Sequence, residues 1–123
     1  MHLDKIHSII SRDVITLEPK ESLRTAVEKM NFNKVSCVVV IEDKKPVGIL
    51  TERDIVQLIS NNIDINITTL MSVMNSPVIA VSEEAEIPEV ANLMVTNDLR
   101  RLVVVDEGRN VIGIITQTDI IKT

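Results

Sequence analysis

Apolar positions recur along this chain with two periods, and the order in which those periods alternate is written twice. Leu23, Ala26, Val27 and Met30 stand at i, i+3, i+4 and i+7, which is one face of a helix, and Ile87, Val90, Ala91 and Met94 do the same. A short apolar stretch precedes each helix, at 14–17 and at 78–81, and reads as a strand. Two β-branched runs follow each helix: Val38–Ile41 with Val47–Leu50, then Leu102–Val105 with Val111–Ile115. The polar turns "EDKKP" and "DEGRN" join them, so each pair predicts a hairpin. These runs are almost unbroken by polar residues, which predicts strands covered on both faces. A closing helix is expected after Thr51 and after Thr116. Pro88 falls near the start of its helix, where a missing N–H does no harm.

The order in each half is β-α-β-β-α. Shifting the chain by 64 positions lays residues 14–45 on 78–109, so that "VITL" meets "VIAV" and Met30 meets Met94. One extra residue near Gly108 then lays "PVGILTERDIV" at 46–56 on "VIGIITQTDII" at 111–121. A single repeat of roughly 60 residues is marginal alone. The expected fold class is therefore α+β: two β-α-β-β-α units packed sheet to sheet with pseudo-two-fold symmetry. Residues 1–62 would form the first unit and 77–123 the second, with Pro77 opening its first strand. The stretch 63–76 would be a linker, its "TLMSVM" forming a short helical turn.

Composition narrows the function. Hydrophobic residues make up 45% of the chain, yet there is one Phe and no Trp or Tyr, so the core must be aliphatic. Without aromatic platforms for bases, single-stranded nucleic acid is disfavoured as a ligand. The formal net charge of -5 disfavours broad attraction to a phosphate backbone. The single cysteine, Cys37, cannot form an intramolecular disulfide; it reads as a small buried apolar residue in a reducing compartment. No stretch approaches the ~20 apolar residues that span a bilayer, and the N-terminus does not read as a signal peptide. A soluble cytoplasmic protein is expected. His2 and His7 have no partners at ligand spacing, so no metal site is expected, only a lightly packed N-terminus. Met30, Met71, Met74 and Met94 read as core or interface filler. The acidic "SEEAE" at 82–86 reads as a complement to a helix N-terminus. No nucleophile–base set, metal cluster or phosphate loop stands out, so the chain reads as a binding module and not an enzyme.

The doubled phrase carries the chemistry. "GILTERDI" at 48–55 and "GIITQTDI" at 113–120 share glycine, two aliphatics, threonine, aspartate and isoleucine in one order. A capping box accounts for both copies without a ligand: Thr51 or Thr116 caps the helix, and Asp54 or Asp119 reaches back. The same corner also suits a nucleotide. A helix N-terminus with unpaired N–H groups and a threonine hydroxyl favours phosphate. An aspartate one turn in would accept hydrogen bonds from ribose hydroxyls.

The doubled β-α-β-β-α order and the repeated phrase resemble a tandem pair of cystathionine-β-synthase-type (CBS) domains, the Bateman module, from about Ile10 to Lys122. "RRLVVVDEGRNVIGIITQTDII" is similar to the adenylate-sensing subunits of AMP-activated protein kinases, although Val39 and Val103 stand where that family often has proline. The resemblance implies regulatory binding of AMP, ADP or ATP in a cleft between the units, with no cofactor required. In one site Asp119 would hold the ribose, Thr116 phosphate or ribose, Ile114 and Ile15 the adenine faces, and Val35, Ser36 and Cys37 its edge. The symmetric site would use Asp54, Thr51, Ile49, Ile79, Leu99 and Arg100. Arg100 and Arg101 match basic positions that meet phosphate; Ser36 and Cys37 replace them in the first repeat, so the sites would be inequivalent. Arg53 reads equally as a phosphate contact or as a surface charge. The chief rival is a ligand-free interaction scaffold that dimerises through aliphatics near Ile55, Ile59, Ile120 and Ile121. S-adenosylmethionine and, less favoured, nucleic acid are further alternatives. A homodimer and a regulated partner protein fit the first reading as well.

Overall fold

The computed structural model describes residues 4–123, so His2 lies outside the described residues. The elements run in the predicted order. Strand β1 (Thr16–Leu17) leads to α1 (Leu23–Asn33), β2 (Cys37–Glu42), β3 (Lys45–Thr51) and α2 (Glu52–Ser60). A short α3 (Leu70–Val73) precedes β4 (Ala80–Ser82), α4 (Ile87–Asn97), β5 (Arg101–Val105), β6 (Val111–Thr116) and α5 (Gln117–Ile121). Each repeat forms a three-stranded sheet, ordered β1-β2-β3 and β4-β5-β6. In both, the first strand lies parallel to the second and the second antiparallel to the third. Both hairpins carry an irregularity at the same place, after Val40 and after Val104. The architecture is thus mixed α+β, built twice. Among the described residues no helix is long and apolar enough to cross a membrane.

The chain divides into two compact units, Val14–Val78 and residues 4–13 with 79–123. In the first, Leu17, Leu23, Ala26, Met30, Val38, Val40, Leu50, Ile55 and Leu70 form the buried cluster. In the second, Ile6, Val81, Ala85, Val90, Met94, Leu102, Val104 and Ile115 form its counterpart. Alternation does the sorting. Val38, Val40 and Leu50 face the helices, while Val39 and Ile49 are paired on the opposite sheet face.

Neither unit coincides with one sequence repeat. The stretch 63–76, expected as a linker, belongs to the first unit. Leu70 is fully buried there, its N–H donates to the Glu21 carbonyl, and the Leu23 N–H donates to the Thr68 carbonyl. The N-terminal stretch, expected to be lightly packed, does the same for the second unit. Ile6 is fully buried, its N–H donates to the Ala85 carbonyl, and the Ile87 N–H donates to the Asp4 carbonyl. Residues 4–11 and 68–75 are one more pair of repeated segments, each docked on the body that follows the other in sequence. Asp4 answers to Thr68, Ile6 to Leu70, Ile10 to Met74 and Ser11 to Asn75. In both, a carbonyl of the segment takes the first N–H of a long helix, one of the donors a helix leaves unsatisfied.

Four smaller expectations change for related reasons. Pro77 does not open a strand; β4 starts at Ala80. The acidic stretch 82–86 spends its charge on the N-terminal segment: Glu83 pairs with Arg12 and Glu84 with Lys5, while Glu86 caps α4 without a side-chain bond. The Lys5–Glu84 hydrogen bond and charge attraction hold the Lys5 amine above, and the Glu84 carboxyl below, their ordinary pKa values. Met30 and Met94 are core, but Met71 is exposed. Ile55 is buried and Ile120 packs on the second core, leaving Ile59 and Ile121 as the exposed aliphatics of the four.

Candidate functional site

Both copies of the repeated phrase fold into the same strand-to-helix corner. Thr51 caps α2 and forms a complete capping box with Asp54; Thr116 caps α5 and forms one with Asp119. The Thr51 N–H donates to Asp54 Oδ2 at 2.8 Å, and the Asp54 N–H donates back to Thr51 Oγ1 at 3.3 Å. The corresponding distances at Thr116 and Asp119 are 2.8 and 3.2 Å. The capping reading is therefore correct for both corners, and it does not exhaust them. All hydrogen bonds that the two carboxylates make among the described residues converge on Oδ2. Each half-buried carboxylate keeps Oδ1 without a hydrogen bond to the described residues of its unit.

The helix N-termini are less open than the sequence suggests. The Glu52 N–H donates to the Ser36 carbonyl at 2.9 Å, and the Gln117 N–H donates to the Arg100 carbonyl at 2.9 Å. With Asp54 and Asp119 N–H held by the caps, only Arg53 and Thr118 keep an unpaired N–H in those first turns, among the described residues. One backbone donor per corner is a weak phosphate cradle, so cationic side chains would have to supply most of the neutralisation.

Strand pairing places the other predicted residues. In the first unit Cys37 lies across from Thr51 and Val39 across from Ile49. The Val39 N–H donates to the Ile15 carbonyl, which brings Ile15 to the same sheet. Ser36 adjoins the corner through its carbonyl; Val35 packs on the core and lines the α1–α2 groove, so its side chain serves the helical side. In the second unit Arg101 lies across from Thr116 and Val103 across from Ile114, with Arg100 tied to α5 by its carbonyl. Leu99 and Ile79 pack against the core cluster. Cross-strand partners share a sheet face. Arg101 and Thr116 therefore stand side by side, where the first unit has Cys37 beside Thr51. Cys37 and Ile114 are buried, Arg101 half-buried, and Arg53 and Arg100 exposed.

Two residues outside the predicted set reach the corners. Ser11 exchanges both backbone hydrogen bonds with Ile114, at 2.8 and 2.9 Å, and Asn75 does so with Ile49, at 3.0 and 3.1 Å. Asn75 adds a side-chain bond, Nδ2 to Asp54 Oδ2 at 2.9 Å. Glycine makes this docking possible. Neither phrase glycine has positive φ, so each is needed for space and not for backbone freedom. A Cβ on Gly48 would collide with the Met74 side chain, and one on Gly113 with the Ser11 carbonyl. The 64-residue shift that pairs Ser11 with Asn75 was the available signal.

Residues 6–61 and 70–123 each match the CBS domain. The chain belongs to the CBS domain family. Among its relatives, the protein MK0525 of Methanopyrus kandleri is 36% identical over 95% of this chain. The chain spans 61% of that relative and between 23% and 46% of the next curated relatives. The CBS domain pair of MJ0100, solved with 5′-methylthioadenosine and S-adenosyl-L-methionine, superposes with a TM-score of 0.86 at 26% identity, covering 98% of this chain and 95% of that one. MJ1225 of Methanocaldococcus jannaschii, described as a candidate archaeal homologue of γ-AMPK, gives 0.81 at 31% identity, covering 98% of this chain and 48% of that one. The two matched CBS segments begin inside the two docked segments, at Ile6 and Leu70. Among the described residues no group of three or more His, Cys, Asp or Glu could hold a metal ion.

Proposed function

We propose that this CBS pair is a regulatory module whose two corners bind an adenosine-containing ligand, specifically an adenine nucleotide such as AMP, ADP or ATP. The observation that carries the reading is the doubled carboxylate: each Asp is fixed through Oδ2 and presents Oδ1, the acceptor a ribose diol requires. A relative solved with adenosyl compounds, the CBS domain pair of MJ0100, supports the ligand class. Thr51 and Thr116 flank the sugar, Ile49 and Ile114 supply apolar surface beside it, and Arg100 and Arg101 meet the phosphates. The ligand regulates by binding one arrangement of the chain better than another, since only differential affinity shifts an equilibrium. No bond in it is made or broken.

Calorimetry of the intact chain with adenosine, AMP, ATP and S-adenosylmethionine tests this. Saturable binding of the nucleotides is expected. The Arg100→Ala, Arg101→Ala double variant should lose affinity in step with phosphate count: little for adenosine, and about tenfold or more for ATP, because hydrogen bonds to charged partners are among the strong ones. Absence of binding by every adenosyl compound overturns the proposal. Preference for S-adenosylmethionine, with the arginines dispensable, overturns its nucleotide part.

A second role, self-association, rests on a different observation. Val27, Met30, Val35, Ile55 and Val56 line a groove of about 480 Å³ between α1 and α2. Val56 and Ile59 on α2 are 65% and 50% exposed, and Ile121 on α5 is 82% exposed. Apolar helical surface of this kind suits a second copy of the chain. Sedimentation equilibrium should show a dimer that Val56→Asp weakens; a monomer at every concentration would exclude it.

A further inference from the structure

The two corners are built from the same phrase but are not held equally, and the difference lies in a residue of the docked segments. Among the described residues Asp119 Oδ2 accepts the Thr116 N–H alone. Asp54 Oδ2 accepts three donors: the Thr51 N–H at 2.8 Å, the Thr51 hydroxyl at 2.8 Å and Asn75 Nδ2 at 2.9 Å. Asn75 is itself locked. Its backbone is paired both ways with Ile49, and its side-chain amide also reaches the Ile49 carbonyl at 3.3 Å. Ser11, at the same place in the second unit, keeps the backbone pairing but makes no side-chain bond to Asp119. A serine is too short to repeat the contact.

The geometry points to Asn75 as a positioning residue for the Asp54 corner: its amide clamps Oδ2 so that Oδ1 stays aimed at a ribose hydroxyl. The role rests on the adenosyl reading of the corner. A carboxylate bonded through one oxygen to two elements of the fold has lost the rotation that a capping aspartate otherwise keeps. The ligand then does not have to freeze it, so the clamp appears as affinity. Pre-ordering one side chain in this way is worth up to about a factor of ten in binding. The Asp54 corner is thus the pre-ordered one of the pair, and the Asp119 corner, beside Arg101, relies more on charge. The clamp comes from the segment that leads into β4, so nucleotide binding at the first phrase is tied to the docking of residues 68–75 on the same compact unit.

The test uses the intact chain carrying Asp119→Ala, so that calorimetry reports the Asp54 corner. Asn75→Ser is the informative variant, because serine occupies the equivalent place at Ser11 and keeps the backbone pairing. The expected result is about tenfold weaker binding of ATP, with less than a twofold change for 2′,3′-dideoxy-ATP, which has no hydroxyl for Oδ1 to receive. A merely structural role would weaken both ligands alike. Equal losses, or no loss, overturn the positioning role while the adenosyl reading stands. If the intact chain binds no adenylate, that reading falls and the role falls with it.

Discussion

Replacing Asp54 and Asp119 together by alanine is expected to weaken adenine-nucleotide binding by about 10- to 100-fold at each corner, the loss of one hydrogen bond to a charged acceptor. The direction follows from the sugar, not the phosphate. Removing an anion would strengthen phosphate binding, so a loss of affinity identifies the carboxylates as ribose acceptors. Alanine also removes the return half of both capping boxes while the Thr51 and Thr116 caps remain. That costs about 1 kcal/mol at Asp119 and more at Asp54, where three donors lose their acceptor. The Asp54→Asn, Asp119→Asn pair separates the two effects, since an amide oxygen can still accept the Thr51 or Thr116 N–H. Calorimetry should place the asparagine variant between wild type and alanine in affinity, and urea unfolding should place it nearer wild type in stability. Unchanged nucleotide binding in the alanine variant would leave the two aspartates as caps and nothing more.

Most of the fold was legible because its periodicity is strong. Helical spacing at Leu23–Met30 and Ile87–Met94 placed α1 and α4, and β-branched runs with polar turns placed both hairpins within a residue or two. The repeated phrase marks both corners, and the threonine-to-aspartate spacing specifies their capping geometry. The docked segments were harder to read. Residues 4–11 and 68–75 offer only three matched apolar pairs, Ile6/Leu70, Ile9/Val73 and Ile10/Met74, too few for a periodic signal. Their matching is plain only once the 64-residue shift is carried past the first strand. What they dock on is set by tertiary contacts, by the empty space at two glycines and by open strand edges. Local sequence carries no record of that. The same cause hid Asn75 from the site: its bond to Asp54 spans 21 residues. It also left the helix N-termini looking open, because the carbonyls of Ser36 and Arg100 that close them come from a neighbouring strand's approach.

Gly113→Ala is the substitution expected to cost the most stability. Its Cβ would lie 2.5 Å from the Ser11 carbonyl oxygen and 3.5 Å from Ile10 Cδ1. Ser11 cannot step aside, because both of its backbone hydrogen bonds run to Ile114. Either the sheet shifts, or the segment lifts and takes Ile6 out of the core. Overpacking of this kind costs about 1–3 kcal/mol. Exposing Ile6, fully buried in the second cluster, adds the loss of a large apolar side chain, about 2 kcal/mol. Gly48→Ala meets only the Met74 side chain, whose thioether end can swing away even though its Cβ at 2.9 Å cannot. Its penalty should fall at the low end of the same range. Urea unfolding of the two variants should therefore give a clearly lower midpoint for Gly113→Ala. Native-state hydrogen exchange should show the Ser11, Ile114 and Ile6 amides losing protection in Gly113→Ala but keeping it in Gly48→Ala. Equal midpoints with Ser11 still protected would mean that the second unit absorbs a methyl group where its backbone leaves none, and the close approach at Gly113 would not be what holds the N-terminal segment down.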